Sequence, residues 1–158
     1  MASLLYRDDI YSSFLGKITD YNFINMNEDD VYELMLGYLK SAISQPYIRR
    51  LFSSIKMDDE VMEMDFTLKN SVDEYADKCF IVEVLSRGMV IAWLEPQVKS
   101  ILNTSQMFGG KEQKFYSQAQ QLSELKDLLS TAKSEQRRII CDHGYVNNSY
   151  LRGDSNGS

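Results

Sequence analysis

One apolar stretch, within residues 71–103, constrains the fold of this chain more than any other feature. In the range Cys79–Leu94 apolar residues stand on nearly every helical face, with Glu83 and Arg87 among the few interruptions. A helix of this kind has to be surrounded by other elements. A membrane span would need about 20 apolar residues with few charges, whereas Glu83 and Arg87, which can pair at their i,i+4 spacing, interrupt a shorter run. The sequence therefore predicts a buried core helix and not a membrane span.

Sequence signals mark both ends of this helix. Ser71 and Glu74 have the S-x-x-E spacing of a capping box, in which each side chain satisfies a backbone N–H. The helix is therefore predicted to begin at Val72. Pro96 lacks a backbone donor and clashes with the preceding turn, which predicts a kink or a restart near Glu95.

Amphipathic segments on both sides of the core helix predict further helices. The first covers Leu5–Ile18, and a second begins after a capping residue at Asn27. Pro46, which is tolerated at a first helical position, opens a short third helix, and the last runs from about 112 to 138. The apolar residues at helical spacing are Tyr11, Phe14, Leu15 and Ile18 in the first, Val31, Leu34, Met35, Tyr38, Leu39, Ala42 and Ile43 in the second, Ile48, Leu51, Phe52 and Ile55 in the third, and Leu122, Leu125, Leu129, Ala132 and Ile139 in the last.

One segment alternates as a strand does. Met62, Met64, Phe66 and Leu68 alternate with polar residues, which is the pattern of an extended segment with one buried face. A lone strand has unpaired backbone groups and needs a partner. Since no second segment alternates comparably, the sequence predicts that the partner strand belongs to another copy of the protein. The alternative is an extended linker that lies on the helices.

Together these elements predict an all-α fold, a helical bundle with a buried central helix, a long C-terminal helix and one short extended segment at about 61–68. A length of 158 residues suits one well-buried domain with a tail. Gly144 is predicted to stop the last helix. The boundary therefore falls between a helical domain, 1–143, and a polar extended tail, 144–158, that cannot make its own core.

Charge and cysteine content narrow the classes of function. A net charge of −6 argues against a protein that grips nucleic acid through its phosphates, and equally against one that binds an anionic membrane surface. Cys79 and Cys141 do not make a disulfide framework, and the sequence shows no secretory signal. These features fit synthesis in a reducing compartment.

No residue pattern indicates catalysis. His143 stands beside Cys141 and Asp142, but a metal site needs three or four converging ligands, so a histidine that closes a helix end is the better interpretation. The acidic run at 58–65 lacks the glycine and the ligand spacing of a calcium loop. Because nucleophile, phosphate-binding and dinucleotide motifs are also missing, the sequence predicts a protein that is not an enzyme, with no catalytic residue, metal or cofactor.

Two stretches of the sequence resemble a known family. AWLEPQVKS, with Trp93, Pro96 and Gln97, and KFYSQAQQLSELKDLLSTAK, which includes residues 115–119, are similar to small neck proteins of tailed bacteriophages. The resemblance extends over most of residues 5–132. It implies a mainly helical head–tail connector, or adaptor, that forms a homo-oligomeric ring, a dodecamer, under the portal. Such a ring extends the channel through which DNA leaves the capsid.

The resemblance also implies partners and a location. The protein would be a structural virion component of the neck, synthesised in the host cytoplasm, in contact with the portal protein and with a stopper or other tail-proximal neck protein. DNA would pass without tight binding, which an acidic wall favours. The predicted interface residues are Met62, Met64, Phe66 and Leu68 in the extended segment and Tyr145, Val146, Tyr150 and Leu151 in the tail. Two other functions stay open, a helical protein-binding module that regulates a cellular partner and a small helical enzyme with an unrecognised acidic site.

Overall fold

The computed structural model describes residues 1–19, 23, 25–107 and 112–146. In chain order its elements are β1 (Ala2–Leu5), a π-helix (Tyr6–Tyr11), α1 (Ser12–Leu15), α2 (Glu28–Ser44), α3 (Pro46–Arg49), β2 (Phe52–Asp58), β3 (Glu63–Leu68), α4 (Glu74–Met107) and α5 (Glu112–Val146). Although 72% of the described residues are helical, the three strands form one sheet, so the fold is mixed. The prediction of an all-α bundle is therefore wrong.

The sheet is antiparallel, with β3 in its centre and the strand order β1-β3-β2. Phe66 of β3 lies opposite Ala2 of β1 on one side and Ile55 of β2 on the other. The strand predicted near residues 61–68 is thus confirmed. The prediction that this strand pairs with another copy is wrong, because both of its edges are already paired within this chain.

Two predicted helices are shorter than expected, the first because α1 ends at Leu15 and the third because a strand occupies part of its range. The predicted first helix, Leu5–Ile18, begins with the last residue of β1 and continues as the π-helix and α1. The predicted third helix ends at Arg49, and the apolar residues Phe52 and Ile55 lie in β2. The partner strands that the sequence pattern did not reveal are therefore β1, which almost wholly precedes the predicted first helix, and β2, which replaces the end of the predicted third helix.

One hydrophobic core joins the sheet to the helices. Fully burying one large apolar side chain contributes roughly 1.5–3 kcal/mol, so this core dominates the favourable side of folding. The predicted buried central helix is confirmed as the first two thirds of α4. Fully buried members of the core include Tyr6, Ile10, Phe14, Met35, Leu39, Ile48, Met64, Phe66, Ile81, Val84, Leu85 and Met89.

The start of α4 is capped by a residue other than the predicted one. Asp73, and not Ser71, accepts the N–H of Ala76 at 2.8 Å, and the helix begins one residue after this aspartate. Asp77 is only 5% exposed, and it accepts hydrogen bonds from the Ser71 hydroxyl at 2.5 Å and from the Val72 N–H at 3.0 Å. The buried carboxylate therefore fixes the turn that enters the helix.

Both long helices extend further than the sequence predicts. α4 continues through Pro96 without a break, so the predicted restart does not occur. α5 continues past Gly144 and ends at Val146, so this glycine does not stop it. The predicted tail at 144–158 therefore begins inside α5, and its part from residue 147 onward lies outside the described residues.

α4 and α5 pack against each other in antiparallel directions. Phe80, near the start of α4, stacks on His143, near the end of α5, with ring centroids 3.8 Å apart. Further along, Glu95 of α4 pairs with Lys133 of α5 at 3.3 Å. The pairing brings the beginning of one helix to the end of the other.

These two helices extend beyond the hydrophobic core. At 1.5 Å per residue, helices of 34 and 35 residues are each about 50 Å long. Among the described side chains, Val98 is the last buried residue of α4 and Ala132 is the first buried residue of α5. We name the parts beyond them, residues 99–107 and 112–131, the distal hairpin. Half-buried side chains of the predicted α5 stripe in this hairpin are Leu122, Leu125 and Leu129.

Candidate interaction surfaces

The eight predicted interface residues fall in different environments. Three are buried in the core of this chain, with exposed fractions of 0 to 4%, so their side chains do not form a surface. One is half-buried at the β2–β3 turn, two lie in the last turn of α5 with side chains that the structure does not describe, and two lie outside the described residues. The buried residues are Met64, Phe66 and Leu68, and the half-buried residue is Met62. The residues in the last turn of α5 are Tyr145 and Val146, and those outside the described residues are Tyr150 and Leu151.

A network of ion pairs connects α4 and α5 with the segment that follows α1. Glu83 accepts from the Lys17 ammonium at 2.9 Å and lies 3.3 Å from Nε of Arg87. Arg87 also pairs with Glu135 of α5. The Glu83–Arg87 pair predicted from the i,i+4 spacing is confirmed, and it forms part of a network that holds three segments in register.

A cleft of about 510 Å³ lies between α2, α3, α4 and α5. We name it the α2–α5 cleft. Small and aliphatic side chains make its floor, and polar side chains stand at its rim. The floor includes Ala42, Gly88, Ile91, Ala92 and Ile140, and the rim includes Tyr47, Glu95, Lys133 and Arg137.

Gln136 of α5 fixes the floor of this cleft. Its side chain is 1% exposed, donates from Nε2 to the carbonyl of Val84 at 2.9 Å and accepts at Oε1 from the Tyr47 hydroxyl at 3.1 Å. Close contact between α2 and α4 completes the floor, because a Cβ added to Gly88 would lie 2.7 Å from the Cβ of Ala42. The floor is therefore rigid, and both polar ends of its buried amide are satisfied.

The rim of the α2–α5 cleft carries an excess of positive charge. Lys133 is neutralised by Glu95 at 3.3 Å, whereas Arg137 makes no ion pair within the described part of the chain. Burial raises the pKa of Tyr47, and the nearby Arg137 opposes that rise. The cleft thus combines an apolar floor with one cation that an anionic group could neutralise.

A second cleft, of about 350 Å³, lies at the base of the distal hairpin. Trp93 and Leu94 of α4, Leu128 of α5 and Ile18 from the segment after α1 contribute to its walls. Trp93 packs on the core, while Leu128 is 56% exposed. The hairpin therefore leaves an apolar position open beside the body of the protein.

Two buried tyrosines lie beside the acidic turn between β2 and β3. The Tyr6 hydroxyl donates to Asp59 at 3.2 Å, and Asp59 pairs with Lys40 at 2.6 Å. Tyr11 is 1% exposed, and its hydroxyl has no hydrogen-bond partner among the described residues. Asp58 closes the turn by accepting two backbone N–H groups. The acidic run near residue 58 thus has structural contacts of its own.

The start of α4 presents an aromatic side chain to solvent. Tyr75 is 79% exposed and Val72 is 47% exposed. The exposed carboxylates Asp73 and Glu74 stand between them, and the hydrogen bond from Lys78 lowers the pKa of Glu74. We name residues 72–75 the acidic–aromatic segment.

The described residues do not form a metal site of His, Cys, Asp and Glu ligands. No group of three or more His, Cys, Asp or Glu side chains among them is arranged to hold a metal ion. His143 stacks on Phe80, and its Nε2 lies 2.9 Å from the carbonyl oxygen of Asn70. Cys79 and Cys141 are free and exposed. In the part of the chain that is described, no helix is long and apolar enough to cross a membrane.

Comparisons of this chain with protein-family models, with curated proteins and with solved structures find no match.

Sequence reasoning did not identify the residues that build the α2–α5 cleft. Gln136 and Tyr47 have polar side chains at ordinary helical positions, and their burial depends on which helices meet. The one sequence signal for this cleft was Gly88. A glycine inside a helix lowers helix stability by about 1 kcal/mol relative to alanine, so its presence there suggests that another element packs closely against it.

Proposed function

We propose that this chain is a structural adaptor in the head–tail neck of a tailed bacteriophage. The stretches that resemble neck proteins lie on the two long helices, Trp93, Pro96 and Gln97 on α4 and residues 115–119 at the start of α5. The proposal therefore concerns the helical pair and not the sheet.

The observation that carries the proposal is the length of these helices relative to the core. Each is about 50 Å long, yet among the side chains that the structure describes burial ends at Val98 in α4 and begins only at Ala132 in α5. The core alone does not require this extra length. The extra length suits a protein that spans two components of an assembly, because the distal hairpin can reach one component while the body contacts another.

The polar groups around the helical pair suit packing better than catalysis. Glu83, Arg87 and their partners neutralise one another, and both ends of the Gln136 amide are hydrogen-bonded. Side chains that pair with one another in this way specify how helices pack. They leave few strong donors or acceptors directed at a substrate.

In this proposal the copies form a homo-oligomeric ring, a dodecamer, between the portal protein and a stopper or other tail-proximal neck protein. The ring belongs to the virion neck and is assembled from chains made in the host cytoplasm. A net charge of −6 disfavours tight contact with DNA phosphates, so the genome passes through the ring without being held. The role requires no catalytic residue and no cofactor.

Co-assembly with the portal ring tests the proposal. The full chain is mixed with portal rings encoded in the same genome, and attachment is measured by co-sedimentation and negative-stain microscopy. Leu128→Asp places a charge on the exposed apolar position of the distal hairpin, and it is expected to reduce the attached fraction severalfold. Ser130→Asp is the matched control, because this serine is also exposed on α5 but offers no apolar contact.

Three outcomes would count against the adaptor. A chain that never co-sediments with portal rings contradicts it directly. A monomer that binds one host protein instead favours a regulatory module. Turnover of a substrate that is abolished by a single carboxylate substitution favours an enzyme.

A further inference from the structure

The α2–α5 cleft has the features of a binding site for an aromatic group that is flanked by carboxylates. Its floor is apolar and rigid, since Gly88 lies against Ala42 and Gln136 is held by two hydrogen bonds. The cation at its rim, Arg137, lacks an ion-pair partner among the described residues, while Lys133 shares its charge with Glu95. An occupant that fits would bury an apolar ring and place an anion at the rim.

The acidic–aromatic segment of this same chain has the complementary chemistry. Tyr75 exposes 79% of its surface, which leaves most of an aromatic ring in water. Asp73 and Glu74 precede it and are both exposed, although Asp73 caps the helix and Glu74 pairs with Lys78 at 2.9 Å on the same helix. Tyrosine is among the residues that contribute most often to the centres of protein interfaces, because it buries a large area at a small cost in conformational entropy.

The segment cannot fill the cleft of its own chain. Tyr75 and Gly88 stand on the same continuous helix, α4, and 13 residues of helix separate their positions by about 20 Å. A continuous helix does not fold back on itself, so this separation is fixed. The ring of Tyr75 can enter this cleft only on a second copy of the protein.

We propose that the α2–α5 cleft of one copy receives the acidic–aromatic segment of the next copy, with Tyr75 on the apolar floor and Glu74 near Arg137. The inference rests on the proposed ring and names its contact surface. Because the segment and the cleft are different surfaces, the contact is heterologous, and repeating it generates a closed ring if the rotation between neighbours closes. It also leaves the distal hairpin outside the contact.

Cross-linking tests the contact at the level of single residues, because Cys141 is an exposed thiol that lines the cleft. The full chain carries Cys79→Ser to remove the other thiol, together with Tyr75→Cys. Mild oxidation is expected to give disulfide-linked oligomers through Cys141. Val61→Cys in the same background is the matched control, since Val61 is 63% exposed but lies at the β2–β3 turn. Linking from position 61 and not from position 75 would overturn the inference.

Self-association of the full chain, measured by sedimentation velocity without any portal, provides the second test. Tyr75→Ser is expected to weaken association by about 30-fold or more, the loss typical of a central interface residue. Arg137→Glu should weaken it too, and Glu74→Arg should partly restore association to that variant. Thermal unfolding is followed in parallel, and Tyr75→Ser should leave it unchanged because the ring is exposed.

Each result of this measurement has a defined meaning. A wild-type chain that stays monomeric at all concentrations, or a Tyr75→Ser chain that associates as tightly as wild type, overturns the inference. If portal rings still bind such a chain, the adaptor proposal stands without it. If association depends on Tyr75 but portal rings are not bound, the contact stands and the adaptor proposal fails.

Discussion

At the scale of single residues, two glycines in helices should respond in opposite ways to the same substitution. Gly37 of α2 has nothing within 4 Å of an added Cβ, so Gly37→Ala should raise the free energy of unfolding by about 0.5–1 kcal/mol through helix propensity. A Cβ at Gly88 would lie 2.7 Å from the Cβ of Ala42, which has no rotamer to move it away. Gly88→Ala should therefore lower stability by about 1–3 kcal/mol, the usual cost of overpacking.

Urea unfolding of the two alanine variants and the wild-type chain measures these changes. The two substitutions add the same methyl group, so a common shift in the same direction would show that contact between α2 and α4 at this point is looser than described.

Residue-level patterns in the sequence predicted contacts along a single helix better than contacts between helices. The Glu83–Arg87 pair follows from spacing alone and is present. Near the start of α4, however, Ser71, Asp73 and Asp77 could each serve as a cap by composition, and the choice of Asp73 depends on the entering turn. Contacts such as that of Gln136 with Val84 join residues far apart in sequence, which no periodicity records.

At the scale of elements, the central position of β3 changes what a substitution in this strand should do. Phe66 is fully buried, and its strand is paired on both sides, so Phe66→Ala should lower the free energy of unfolding by about 3–5 kcal/mol. Thr67, the next residue, points to the opposite, half-exposed face, and Thr67→Ala should cost less than about 1 kcal/mol.

Denaturant unfolding of both variants, followed by circular dichroism, checks this prediction. If Phe66→Ala abolished assembly but left the unfolding of the monomer unchanged, β3 would have to pair with a strand of another copy, and this prediction would be wrong.

The sequence pattern did not reveal β1 and β2, because β2 contains a bulge and β1 is short. Phe52 and Ile55 both lie on the inward face of β2, although three positions apart, because a bulge near Ser54 shifts the register. A spacing of three on one face imitates a helix, and the preceding Ile48 in α3 strengthens that imitation. β1 contains only four residues, too few for alternation to be recognised. The long helices, whose patterns repeat over many turns, were predicted correctly in kind.

At the scale of the whole molecule, buried tyrosines should make the fold sensitive to alkali. Burial, and next the Asp59 carboxylate, raise the pKa of Tyr11 from 10.0 to about 12, and burial raises the pKa of Tyr6 as well. Above pH 10 the unfolded chain loses these protons while the folded chain keeps them, so the unfolded state binds fewer protons. Stability contributed by the neutral hydroxyls is therefore fully present below pH 10 and is lost as the pH rises toward 12.

Tyr11→Phe isolates this effect. Its hydroxyl has no described hydrogen-bond partner, so the substitution should leave stability at pH 8 equal or slightly higher, and it should make the fall above pH 10 shallower. Tyr6→Phe is the comparison, because it removes the hydrogen bond to Asp59 and should destabilise the chain at pH 8 as well. Urea midpoints across this pH range report both, and identical slopes for Tyr11→Phe and wild type would contradict the assignment.

The position of β3 in the chain has a consequence for the order in which the protein can form during translation. All three strands have left the ribosome once Leu68 has emerged, so the sheet can assemble before α4 is synthesised. At that moment α4 is missing, and it contributes Ile81, Leu85 and Met89 to the same hydrophobic core as Met64 and Phe66. A nascent chain paused there would leave apolar side chains of this core exposed to solvent until α4 is synthesised. Chaperone binding to the nascent chain should therefore be greatest during this interval.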